Sequence, residues 1–487
     1  MTKKSRYIII VFVATFALAF FWMQTQLEQP DYTPEILADR YSEGDEDAFE
    51  KMDKGADEEP VPFRWTNERD IAWAEDIHHF RDTIIRLHPI MQNVDTFMYL
   101  DPSLRGMSIR RSFFDGDVKV RFVGATDELI ERVPYLSDFE IEVELARIAA
   151  LLGDSHTRVW LSSPMEMERL PFDFWKLCDG WYVWRAYQDF EETTFSRLDA
   201  IGGIKLGEIF EMVRPIFPHE NDLILEFAMT DVFFRDFLTY LGIIYEDDMT
   251  VSLTFTNIEG YTFTIDAPFM DWVEVIEAGK VVESPIDAER FIMHSREDEI
   301  WWVEYFLEGS MMYVRFRSFR DNLESRAFWN EQVIAKLYEI SGVDTFVLDF
   351  RGNTGGSDLR GFDDFMEWAE NETNRELLGT FFVAVDRVSY SRSVLSAVRM
   401  RNAIDDVITI GQPTMGLPNT FGGVRMHQLP NTDTAFIVST NFSLFLPDHE
   451  GDTFVPDIYI PRTIEDYMNS HDAVLAFIRA YGRSEQD

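Results

Sequence analysis

The chain has 487 residues, 46% of them hydrophobic, with 44 Lys and Arg against 87 Asp and Glu for a net charge of −43. It is too long for one small domain, and it is apolar enough to bury a large core, which excludes whole-chain disorder. So acidic a surface repels phosphate backbones and disfavours a nucleic-acid partner.

Met1 to Arg6 carries Lys3, Lys4 and Arg6, and Tyr7 to Met23 runs without a charge. A basic start before an apolar stretch is a secretory signal or a signal anchor. Ala17-Leu18-Ala19 offers a cleavage site, yet the apolar run continues through Phe20, Phe21 and Trp22. An uncleaved single-pass anchor over 1–23 is therefore the favoured expectation. It puts the basic residues at the cytoplasmic face and the rest of the chain outside the cytoplasm. Secretion after signal cleavage is the alternative. Residues 24–66 are acidic and polar, densest at 41–47, and read as a solvated tether.

Beyond the tether, apolar spacing predicts a helix over 70–88, ended by Pro89, and another over 139–152, with Gly153 as its stop. The texture then changes to short β-rich runs, such as 181–184 and 251–256, with a helical stretch at 206–216. From about residue 295, strands expected at 311–316, 345–350 and 381–385 alternate with helices expected at 328–340, 359–371 and 394–402. Alternation predicts a largely parallel sheet, and the apolar strand 345–350 predicts cover on both of its faces. The expected organisation is α/β. It has a helical region over 67–163, a mixed β-rich module over 164–280 and a core over 281–487.

The lone Cys178 can form neither an internal disulfide nor a cysteine metal site, and no metal-ligand spacing is visible. Three stretches could carry chemistry. Leu152-Gly153-Asp154-Ser155-His156-Thr157 places a histidine among small polar residues at a helix end, a good position for a general base. Asp349-Phe350-Arg351-Gly352-Asn353-Thr354-Gly355-Gly356 lies between a buried strand and a helix. Its glycines let the backbone approach a phosphate or an oxyanion, although no Gly-Lys-Ser/Thr follows to make it a P-loop. Asp386-Arg387-Val388-Ser389-Tyr390-Ser391-Arg392-Ser393 again joins a strand to a helix, where a serine can project into a cleft. Composition does not choose among its three serines, each of which could be a helix cap.

Together the three stretches resemble the C-terminal processing (tail-specific) proteases and the tricorn protease core, over roughly residues 70–475. Ile410-Gly411-Gln412-Pro413-Thr414-Met415-Gly416 and Val455-Pro456-Asp457-Ile458 are similar to two further segments of that family, in the same order. The resemblance implies a crotonase/ClpP-like catalytic core, a PDZ or PDZ-like character for 164–280, and peptide or protein substrates. It puts the nucleophile at Ser391. Processing proteases pair that serine with a lysine, but Leu417 stands in the lysine's place and no lysine follows Lys336. The tricorn-like branch uses histidine instead, which implies His156 as base, Ser155 before it, and Glu450, six residues before Pro456, as the orienting acid.

The implied chemistry is acyl transfer, with the oxyanion held by amides of Gly355 or Gly356 and of Arg392, and no metal or organic cofactor. A non-catalytic peptide- or ligand-binding protein on the same fold is the competing expectation. Arg392 and Val394 stand where relatives have a small residue and a glutamate.

Overall fold

The computed structural model describes residues 67–484, apart from 93–98, 101–116, 162–167, 272–278, 288, 297, 321–322, 358–359, 433 and 450. The expected anchor and tether therefore lie outside the described residues, as does Glu450. Among the described residues no helix is long and apolar enough to cross a membrane.

The helical region begins with α1 (Glu68–Leu87). It stops because His88 precedes Pro89 and is forced into extended backbone, with φ −74° and ψ 128°. Next comes α2 (Val118–Arg132), which the sequence reading did not anticipate. It buries Val118, Phe122, Thr126 and Leu129 along one stripe. The last helix of the region is α3 (Asp138–Ala150), started by a capping box in which Ser137 and Glu140 bond each other's amides. This helix is buried nearly all round, so even its acids need partners. Thr434 donates to Glu142 at 2.9 Å, and Arg132 pairs with Glu144 at 2.8 Å. A two-residue strand, β1 (Arg158–Val159), follows the histidine segment.

The middle module is a twisted antiparallel sheet. Its strands are β2 (Phe172–Leu177), β3 (Gly180–Tyr187), β4 (Arg197–Ile201), β5 (Thr250–Thr256) and β6 (Thr262–Pro268), in that spatial order. Helices α4 (Leu206–Val213) and α5 (Asp222–Ala228), with a shorter one over Arg235–Tyr240, interrupt it between β4 and β5. The period-2 alternation is plain in β5, where Val251, Leu253 and Phe255 are buried. Val281–Glu283 pairs back onto β3, so the module ends slightly beyond the expected 280.

The core is a six-stranded sheet. It is built from β7 (Trp301–Phe306), β8 (Met311–Phe316), β9 (Thr345–Asp349), β10 (Thr380–Val385), β11 (Ile408–Gly411) and, later in the chain, Ile458–Tyr459, in that order. Every neighbouring pair is parallel except β7 with β8, which agrees with the alternation in sequence. The expected two-sided cover is present. Phe346, Leu348 and Val383 pack on one face with Trp329, Phe365 and Val398, while Tyr313, Val347 and Phe382 pack on the other with Leu475 and Ile478. The helices α6 (Arg360–Glu370) and α7 (Arg392–Ala403) fall where the spacing predicted them. The helix expected over 328–340 instead starts at Leu323 and carries a π turn over Phe328–Ile334. Finally β12 (Ala435–Val438) pairs antiparallel with β1, fastening the helical region to the core.

Candidate active site

Ser391 stands at the junction of β10 and α7, with φ 52° and ψ −121°. A residue with a β-carbon is strained there by roughly 1–3 kcal/mol. The same conformation turns a hydroxyl outward at the end of a strand. Two glycines close on it. A β-carbon on Gly355 would lie 2.9 Å from both Ser391 Cβ and Arg392 N, and one on Gly416 would lie 2.9 Å from Ser391 N and Tyr390 Cα. Gly416→Ala is therefore expected to push the serine out of register and, on the acyl-transfer expectation, to lower peptide turnover about a hundredfold. Circular dichroism and peptide turnover measured together check this, since loss of the fold would show in both.

The three serines of the turn separate clearly. Ser389 is buried and donates to Phe350 O at 3.1 Å; Ser393 is buried and donates to Asn353 O at 2.7 Å. Both hold the turn against the glycine loop. Asp386 does the same from below, accepting from the amides of Gly352 (2.9 Å), Val388 (3.1 Å) and Ser389 (3.1 Å) while Arg462 pairs with its other oxygen. Ser391 alone is half-buried, and its side chain makes no capping bond to α7.

The glycine loop is anchored by buried charge. Arg351 pairs with Asp349 at 2.6 Å and Asp472 at 2.8 Å, and Arg315 donates to Arg351 O at 2.5 Å. Burial would raise the Asp349 carboxyl, but the Arg351 and Arg315 charges hold it down to about 2. The Gly355 amide donates to Asn353 Oδ1 at 2.8 Å. That amide is therefore already engaged, and the oxyanion expectation narrows to the amides of Gly356 and Arg392.

His156 follows α3, which Gly153 ends at φ 60°. Asp154 ties the segment down from a fully buried position, accepting from Thr157 Oγ1 (2.6 Å), the His156 amide (2.9 Å) and His88 Nε2 (3.0 Å). His88 donates because its Nδ1 accepts from the Ile90 amide, which leaves the proton on Nε2. The His156 ring stacks on Tyr390 with centroids 4.5 Å apart, and its Nδ1 lies 2.8 Å from the Tyr390 hydroxyl. Its Nε2 is buried with no hydrogen-bond partner among the described residues. Burial lowers the His156 imidazole to about 4; the Asp154 charge opposes this, while the Arg158 and Arg392 charges add to it. The imidazole is thus neutral at pH 7.

Ser155 lies beside it, with its Oγ 2.5 Å from the Tyr390 hydroxyl. Its amide donates to Glu220 Oε1 at 3.2 Å. Glu220 arrives from the middle module just before α5. Asn221, the N-cap of that helix, donates to Met415 O at 3.0 Å and Asp452 O at 2.6 Å, which fixes this corner against the Thr414–Gly416 segment. Burial, with the Asp154 charge beside it, pushes the Glu220 carboxyl up to about 8.

The structure thus brings His156 and Ser155 together on Tyr390, the residue before Ser391. His449, a neighbour of Glu450, bonds Thr453 O at 2.9 Å instead of entering this cluster. Tyr390 and Glu220 were missed from sequence. Tyr390 is adjacent to Ser391, a positional signal that went unused, whereas Glu220 is 65 residues from the serine it meets and carries no local signal. Donor atoms of Asp154, His156 and Glu220 lie within 4.8 Å of one another, close enough to hold a metal ion. Asp154 and His156 Nδ1 are engaged in hydrogen bonds, while His156 Nε2 and Glu220 Oε2 have no hydrogen-bond partner among the described residues.

No protein-family model matches the chain, and no curated protein matches it. Solved structures do match. CPAF complexed with lactacystin superposes with a TM-score of 0.54 at 13% identity, covering 86% of this chain and 99% of that one. Mature CPAF gives 0.52 at 12% identity, covering 86% and 97%. The tricorn protease aligns over 76% of this chain and 36% of its own, with a TM-score of 0.36 and 15% identity. The chain therefore shares with CPAF a fold that covers 86% of its length.

Proposed function

We propose that the protein is a serine peptidase with Ser391 as nucleophile and His156 as general base, tethered by its N-terminal segment on the extracytoplasmic side of a membrane. One observation carries the reading. The only serine of its turn left half-buried and strained is flanked by two residues that act on the imidazole: Tyr390 stacks on it, and the Arg392 charge bears on it. The fold shared with CPAF supports the reading.

In the proposed reaction neutral His156 accepts the Ser391 proton through Nε2 as Oγ attacks a peptide carbonyl. The amides of Gly356 and Arg392 hold the oxyanion, each worth about 3 kcal/mol in the transition state. His156 then returns its proton to the leaving amine, and water releases the acyl group. Glu450 is the acid that the family resemblance implies for a Ser-His-Glu arrangement. The middle module is the proposed substrate-holding part, and residues 1–23 are the proposed anchor.

A binding protein on the same fold is the second reading, favoured by the bulky Arg392 directly after the serine. A fluorophosphonate probe on the full-length protein separates the two. The peptidase reading expects stoichiometric labelling that is lost in Ser391→Ala and kept in Ser389→Ala. Absence of labelling in the folded wild-type protein would sink it.

A further inference from the structure

We infer that Asp154, His156 and Glu220 form a binding site for a divalent transition-metal ion of the zinc type, and that an ion held there locks the imidazole. The site stands on the placement of these three side chains. Its effect on catalysis rests on the reading of Ser391 as nucleophile and His156 as base.

The three residues come from two parts of the chain, the segment after α3 and the turn before α5. Each offers a donor atom within 4.8 Å of the other two. One pair is closer, with His156 Nδ1 3.8 Å from Asp154 Oδ1. A tetrahedral ion about 2.1 Å from each ligand holds its ligand atoms about 3.4 Å apart, so small side-chain rotations close the set on an ion. Two unsatisfied atoms call for one. The His156 side chain is only 9% exposed, and its Nε2 has no hydrogen-bond partner among the described residues. Glu220 Oε2 is buried and has none either. A buried polar atom left in this way is destabilising, and ligation is one way to satisfy it.

The carboxylates are held as metal-binding carboxylates are, by hydrogen bonds that leave lone pairs over. Asp154 Oδ2 accepts from His88 Nε2 at 3.0 Å and from Thr157 Oγ1 at 2.6 Å. Asp154 Oδ1 accepts the His156 amide at 2.9 Å, which uses one of its two lone pairs. Glu220 Oε1 accepts the Ser155 amide at 3.2 Å, and Oε2 stays free. Two carboxylates in one corner also bring like charges together, which a divalent ion neutralises. An imidazole nitrogen beside two carboxylates suits a zinc-type ion better than calcium or magnesium, whose ligands are oxygens. Glu220 is the least buried of the three, so the ion enters from its side.

The consequence does not depend on which ring nitrogen binds. A neutral imidazole has a single lone pair. An ion on Nε2 consumes it directly. An ion on Nδ1 takes the place of the Tyr390 hydroxyl, which lies 2.8 Å from that nitrogen, and leaves the ring proton on Nε2. In both cases no nitrogen remains to accept the Ser391 proton. No covalent bond of the chain is made or broken, since the ion exchanges water for the three side chains and leaves again when chelated. The site is therefore inhibitory and reversible.

The test uses the full-length chain, freed of metal with EDTA and titrated with Zn²⁺. Calorimetry is expected to find one zinc per chain at micromolar concentrations, and X-ray absorption at the zinc edge to find a single imidazole among oxygen ligands. Glu220→Gln keeps the shape of the side chain and an acceptor for the Ser155 amide but loses the charge, and should weaken binding about a hundredfold; His156→Gln should do at least as much. His79→Gln removes an exposed histidine that shares Phe436 with His427, a rival pair for the ion, and should leave the affinity as it is. On the peptidase reading, saturating zinc slows fluorophosphonate labelling of Ser391 about a hundredfold and EDTA restores it. The inference is overturned if no zinc binds, if the absorption spectrum shows two imidazoles, or if binding survives both Glu220→Gln and His156→Gln. It is overturned equally if the zinc-loaded protein labels at the zinc-free rate. The wild-type spectrum decides even where a variant fails to fold. A protein that binds zinc as expected but takes no label when freed of metal keeps the site and ends the peptidase reading alone.

Discussion

Ser391→Ala is expected to lower peptide turnover by about 10⁴-fold or more, and Ser391→Gly to do the same while yielding a protein more stable than the wild type. Both variants remove the hydroxyl that, on the peptidase reading, attacks the substrate. They differ in the backbone. At φ 52° and ψ −121° the β-carbon of Ser391 is held against its preference by Gly355 and Gly416 on either side. Alanine keeps that β-carbon and its strain, whereas glycine relieves it. Against this, glycine gives the unfolded chain more freedom, so the net gain is about 1 kcal/mol. Denaturant midpoints of the three proteins, beside turnover of a quenched fluorescent peptide, give the comparison. A glycine variant less stable than the alanine variant would show that the conformation is not strained, and would remove the structural reason for singling out this serine.

Arg351→Met is expected to destabilise the protein by about 3–5 kcal/mol at pH 7, the largest stability effect of any single change considered. The guanidinium is buried between Asp349 and Asp472, and methionine leaves both carboxylates inside with one partner charge fewer. The pH dependence distinguishes this cause from a packing defect. In the wild type Asp349 is held down to about 2, so its contribution is present above the unfolded value near 3.8 and is lost as pH falls below it. Without Arg351, burial dominates and raises the carboxyl, so the variant gains relative stability on acidification. The stability difference between the two proteins should therefore narrow from pH 7 to pH 4 in urea titrations. A difference that stays constant with pH would assign the loss to packing.

These two residues mark how far the sequence could be read. The core strands were legible because burial on both faces demands unbroken apolar runs, as at Thr345–Asp349 and Thr380–Val385. Helix α3 was legible through its apolar spacing and its glycine stop. Helix α2 was not, since Lys119, Arg121, Glu128 and Glu131 dilute a stripe of only four buried side chains. The choice among Ser389, Ser391 and Ser393 turned on burial and backbone conformation, which composition does not encode. Arg351 read as part of a ligand-facing loop, yet its side chain points into the protein and braces that loop. Glu220 was illegible for a different reason. Its meaning comes from a neighbour 65 positions away, brought there by a helix cap and two backbone carbonyls.

The pairing of β1 with β12 has a consequence for when the molecule can act. Val159 pairs with Phe436, and Thr157 accepts the amide of Ser439, 282 positions later. The histidine segment is therefore made early and secured late. At synthesis rates of roughly 10 residues per second, about half a minute separates His156 from the strand that seats it, and pairings across such distances form slowly. A chain interrupted between these strands lacks the strand that seats the histidine segment. On the peptidase reading, completion of the polypeptide is itself the step that arms the enzyme, so fragments of it would not cut their neighbours during manufacture.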